Sequence, residues 1–205
     1  MKAFAVSLLA LLALACGAFW SWRAPTAPAD LSPVRLVVAG VALQVDPRLA
    51  RTSADLANPA PQELDLVLAL PDLSPAGAKA SSLPLEKLVF LTLRQRDEKI
   101  EPRDKPAKLY ARFLSTAVEV HPAGLILRRF ELGSPYDGEQ LYMTPPEGRA
   151  FWARCASASD QLPATCISEA RIAGLDIRLR FKPDMLGEWE AVTAGVTRLV
   201  EGMAR

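Results

Sequence analysis

Histidine is almost absent, with His121 the single imidazole in 205 residues. One histidine and three cysteines do not supply the donors of a zinc cage, and the spacing of Cys155 and Cys166 matches no zinc or redox motif. No metal and no cofactor are expected. Net charge is missing too, because 24 Lys and Arg stand against 23 Asp and Glu, a formal balance of +1. That excludes the basic footprint that holds a protein on nucleic acid. No Gly-x-Ser-x-Gly elbow accompanies His121, which precedes Pro122 in a turn, so a general base would lack its nucleophile. The chain reads as a non-enzyme.

What the chain does have is one long apolar run, from Ala3 to Trp22. At about 1.5 Å per residue, roughly 20 residues cross a bilayer core. Lys2 precedes the run, and Phe19, Trp20, Trp22 and Arg23 end it with the side chains that settle at a headgroup boundary. A core helix would need a polar face, and none exists here. Three processed forms fit: an uncleaved signal anchor over residues 1–22, a lipoprotein modified at Cys16, or a secretory signal cleaved at Ala13-Leu14-Ala15. The leading form is the anchor, a single-pass inner-membrane helix that makes the membrane a partner through residues 3–22.

Pro25, Pro28 and Pro33 make residues 23–33 an extended linker. Residues 34–205 are then long enough for one domain with a core. Within it Cys155 and Cys166 form an even pair, read as a disulfide in an oxidising compartment or else as two buried thiols. The first reading places the domain in the periplasm.

The fold class predicted is α+β, a mainly antiparallel sheet with a C-terminal amphipathic helix packed on it. Val34–Val38 and Val41–Val45 flank Ala39-Gly40 as a hairpin, and residues 46–61 hold a short helical turn or two. Leu64, Leu66, Leu68 and Leu70 alternate as one buried strand face. Residues 76–82 read as a mobile loop. Leu88 to Leu93, apolar in succession, reads as a central strand covered on both faces. Leu109, Tyr110, Phe113 and Leu114 suit a short helix, and an antiparallel meander follows from Val118 to Cys155. Ala173-Gly174 joins a second hairpin. Met185, Leu186, Trp189, Val192, Val196, Leu199, Val200 and Met203 recur at helical steps, and Gly195 within them signals close packing on a neighbour.

Candidate binding residues are few. In the loop from Ser134 to Glu139, Tyr136, Asp137 and Glu139 offer two carboxylates and a phenol for a sugar, a cation or a basic peptide. Arg178 and Arg180, two apart on a strand, share a face that suits an anion.

Several segments together resemble an uncharacterised group of proteobacterial membrane-anchored extracytoplasmic proteins. They are Leu109-Tyr110-Ala111-Arg112-Phe113-Leu114, Pro122-Ala123-Gly124-Leu125, the run Gly133 to Glu139, Phe151 with Cys155, Leu175 to Phe181, and Trp189. The resemblance implies a similar placement and a similar disulfide, and brings no activity. Two functions are carried forward. One is a non-catalytic interaction or scaffold role with another envelope protein. The other is a small-ligand or ion-binding periplasmic domain using the 134–139 loop.

Overall fold

Leu64, Leu66 and Leu68 alternate with Asp65 and Val67 because a strand turns successive side chains to opposite faces. In the computed structural model, which describes residues 32–205, they stand on β3 (Glu63–Ala69), all three leucines buried. The first hairpin is β1 (Val34–Val38) and β2 (Val41–Val45), a separate two-stranded sheet. Ala39 and Gly40, both at positive φ, form its turn as a hairpin of this length requires. The helical turns expected next are Pro47–Leu49, capped by the Asp46 carboxylate on the Arg48 N–H at 2.9 Å, and α1 (Ala54–Ala57).

The remaining strands are β4 (Ser74–Pro75), β5 (Leu88–Gln95), β6 (Glu119–His121), β7 (Leu125–Arg129), β8 (Glu139–Met143), β9 (Trp152–Ala156), β10 (Thr165–Ile172) and β11 (Leu175–Phe181). With β3 they form one sheet in the order β4-β3-β5-β11-β10-β9-β8-β7-β6, antiparallel throughout. From β6 to β9 the chain is the expected meander, and the second expected hairpin, β10 and β11, continues it with each strand beside its sequence neighbour. The exception is β5, which sits between β3 and β11 and brings distant parts of the chain together.

The first sheet face carries the main core. Leu66, Leu91 and Leu179 lie abreast on it and pack with Leu36 and Leu43 of the hairpin. The C-terminal helix α2 (Trp189–Met203) adds Val192, Val196, Val200 and Met203 to this core, and a tight turn over Pro183–Glu188 leads into it. A Cβ on Gly195 would lie 2.3 Å from Cδ1 of Leu73, the close approach its sequence position signals.

Residues 102–113 form a broken succession of short helical turns in place of one helix. They lie over the second face at β8 and β9, where Tyr110, Leu114, Leu141, Met143 and Trp152 make a smaller core with Phe130. The second face is otherwise less covered than the apolar run of β5 predicts, because Phe90 and Thr92 are only half-buried. The segment read as a mobile loop is a packed turn, Gly77–Ser82, with Gly77 buried against the backbone of Ala50. It packs because glycine alone lets the two backbones come so close.

Among the described residues no helix is long and apolar enough to cross a membrane. The run 3–22, Cys16 and residues 23–31 lie outside the described residues.

Candidate functional site

Strand register sets the chemistry of the second sheet face. Val67, Phe90, Arg180, Ile167 and Arg154 stand abreast in one row across β3, β5, β11, β10 and β9. The next row is Asp65, Thr92, Arg178 and Glu169, and beyond it come Glu63, Arg94, Asp176 and Arg171 with alternating charge. Cross-strand neighbours of opposite sign stabilise each other, so the two outer rows hold themselves together.

Glu169 is the hub of this ladder, its side chain only 7% exposed. It accepts from Arg94 at 3.0 Å, from Arg178 at 3.3 Å and from the Lys105 ammonium, which reaches over from the covering segment. Asp176, also buried, accepts from Arg171 Nε at 2.7 Å and from the Asp97 N–H at 2.7 Å. That hydrogen bond and the Asp176 charge raise the Arg171 guanidinium above its usual range. These charges are internally partnered and serve the fold.

The first row is different. Arg180 lies over the Phe90 ring with its guanidinium carbon 5.3 Å from the centroid, and Arg51 lies over the same ring at 5.9 Å. Neither is ion-paired with a carboxylate among the described residues. Arg51 is held at the sheet border because its N–H donates to the Asp65 carbonyl at 3.2 Å, next to the bridge between Ala50 and Leu66. Asp65 in turn accepts from the Thr92 hydroxyl at 2.6 Å. Together Arg51, Arg178, Arg180, Glu63 and Asp65 border a groove of about 280 Å3 floored by Phe90 and Ile167.

Past Phe90 and Ile167 the groove runs on into an apolar stretch of about 520 Å3, lined by Leu85, Leu88, Leu162, Pro163, Phe181 and Lys182 among others. Leu162 is 69% exposed at its rim. It belongs to the β9–β10 loop, whose base is the Cys155–Cys166 disulfide between directly paired residues. The two cysteines are therefore bonded to each other and are not two free buried thiols.

The predicted site residues thus fall into two groups. Arg178 and Arg180 share a face as expected, and both line the groove. Tyr136 and Asp137 precede β8 and Glu139 begins it, with β9 and β10 between that strand and the β11 arginines. Tyr136 packs edge-on against Tyr110 at 5.1 Å, the Asp137 carboxylate accepts from the Gly133 N–H at 2.9 Å, and Glu139 pairs with Arg154 Nε at 2.9 Å. The Arg154 guanidinium also covers the Tyr136 ring at 4.7 Å. His121 stands in its turn, with Nδ1 2.8 Å from the Pro122 carbonyl and its ring against Tyr142. Among the described residues no cluster of three or more His, Cys, Asp or Glu side chains suits a metal ion.

Sequence reasoning missed Arg51, Phe90, Ile167 and Glu169. The available signal was parity, since Phe90 with Thr92 and Ile167 with Glu169 are two apart on strands. Parity names a shared face but not the neighbouring strand.

No protein-family model matches this chain, and no curated protein does. Among solved structures the chain is similar to Smlt3025, an immunity protein of the Stenotrophomonas maltophilia type IV secretion system. The TM-score is 0.60 at 13% identity, covering 83% of this chain and 92% of that one. It is also similar to the Neisseria meningitidis iron-regulated outer membrane lipoprotein FrpD, with a TM-score of 0.50 at 10% identity over 84% of this chain and 92% of that one. Identities this low show a shared fold and nothing finer.

Proposed function

We propose that this chain is a non-catalytic envelope protein whose periplasmic domain, tethered to the inner membrane through residues 3–22, binds and neutralises another protein. The observation that carries this reading is the fold likeness to an immunity protein over 83% of the chain. The Cys155–Cys166 disulfide supports an oxidising compartment, and the open groove beside it supports a binding surface. The partner, in this immunity-type reading, is an effector protein that the domain blocks by covering it.

The test is cross-linking of the full chain in its native membrane followed by purification under denaturing conditions, with a parallel deletion strain challenged by its parent. A specific cross-linked protein, together with killing of the deletion strain by the parent, is the expected result. Turnover of a substrate that one point substitution in the domain abolishes would overturn the proposal.

A small ligand at the 134–139 loop is the second reading, favoured by the joint placement of Tyr136, Glu139 and Arg154. A ligand at 100 times its dissociation constant adds about 2.7 kcal/mol of stability. A panel of metals, sugars and anions that leaves the melting temperature unchanged would remove it.

A further inference from the structure

The groove on the second face changes character along its length, and that change points to the kind of segment that fits it. At one end Arg51 and Arg180 project over Phe90 without carboxylate partners among the described residues, and Lys182 adds a third cation on the apolar side. At the other end of the same floor, Leu85, Leu162 and Phe181 line an apolar stretch. Phe90 and Ile167 belong to both.

We infer that this groove docks an extended acidic segment of the partner protein, its carboxylates on Arg51 and Arg180 and a neighbouring aliphatic side chain beside Leu162. This rests on the protein-binding reading above and names the part of the partner that is held. Charge complementarity carries it, because unpaired arginines stacked on an aromatic ring keep their N–H groups aimed outward for a carboxylate. An anionic lipid is less well matched. Glu63 and Asp65 line the same groove and would repel a phosphate, whereas a polypeptide can offer them its own N–H groups.

The experiment uses the full chain in detergent and three fluorescein-labelled octapeptides. The first alternates glutamate with leucine, the second replaces glutamate by lysine, and the third replaces leucine by serine. Only the first is expected to bind saturably. Arg51→Glu and Arg180→Glu, both on exposed side chains, should each weaken it at least tenfold while circular dichroism stays unchanged. Absence of saturable binding, or equal binding of the lysine peptide, overturns the inference. So does tight binding to phosphatidylglycerol vesicles that the same substitutions abolish while peptide binding persists.

In cells, a photo-crosslinking residue is placed at Leu162 or at Val120, which is 89% exposed on β6 at the far end of the sheet. A protein captured from position 162 and not from 120 completes the expected result. Capture from 120 alone overturns the groove but leaves the partner reading standing. Capture from neither position overturns both.

Discussion

The indole Nε1 of Trp152 donates to the carbonyl of Pro102 at 2.8 Å inside the protein. This bond joins β9 to the segment that covers the second sheet face, and Tyr110 packs edge-on against the same indole at 5.5 Å. Trp152→Phe keeps one aromatic ring but leaves a buried carbonyl without its donor. The expected loss is about 1–3 kcal/mol, read from urea unfolding at neutral pH.

Glu169 pairs with three cations that arrive from β5, β11 and the covering segment. Glu169→Gln removes the charge and leaves Arg94, Lys105 and Arg178 crowded without it. Breaking a buried pair in this way costs about 3–5 kcal/mol. An unfolding free energy within a few tenths of a kcal/mol of the parent would show that the cations relax into water.

Burial pushes the Tyr110 hydroxyl up to about 12, with the nearby Arg154 charge opposing the shift. Below pH 10 both folded and unfolded chains keep this proton, so the contribution is intact. Above it the unfolded chain ionises first, and stability falls as pH rises towards about 12. Tyr142, raised by burial in the same direction, adds to the slope. Urea midpoints measured between pH 8 and 12 should decline, and Tyr110→Phe should flatten the decline.

Two glycines make opposite demands on an added methyl group. At Gly77 a Cβ would meet the Ala50 carbonyl oxygen at 1.8 Å, which only a backbone shift relieves. Gly77→Ala should therefore destabilise by several kcal/mol, of order 3. At Gly195 the obstacle is the tip of the Leu73 side chain, which can swing aside, and alanine gains about 1 kcal/mol of helix propensity. Gly195→Ala should stay within about 1 kcal/mol of the parent by thermal unfolding.

The disulfide closes a short loop that carries Leu162 and Pro163. Loops of this size gain about 3 kcal/mol from closure in the chain-entropy account. Reduction with a phosphine should lower the denaturation midpoint accordingly and raise amide exchange across residues 157–164. Unchanged exchange there would mean that the loop is held by its own contacts, such as the Ser159 N–H to the Leu162 carbonyl at 2.9 Å.

Amino-acid order alone determined what is local in this protein. Alternation at Leu64, Leu66 and Leu68 defines a buried strand face, Ala39-Gly40 and Ala173-Gly174 turn two hairpins, and three- and four-residue steps from Val192 to Met203 define the helix. These features are legible because each is decided within a few residues by backbone geometry and by which side chains avoid water. The order of strands is not. β5 lies between β3 and β11, and only that placement sets Thr92 between Asp65 and Arg178, and Phe90 beneath Arg180. The consecutive pairing of β8, β9, β10 and β11 sets Arg178 and Arg180 two strands away from the 134–139 loop. Long-range pairing follows from how whole faces pack and how cavities close, a collective energy that no window of sequence contains, and the groove exists only because of it.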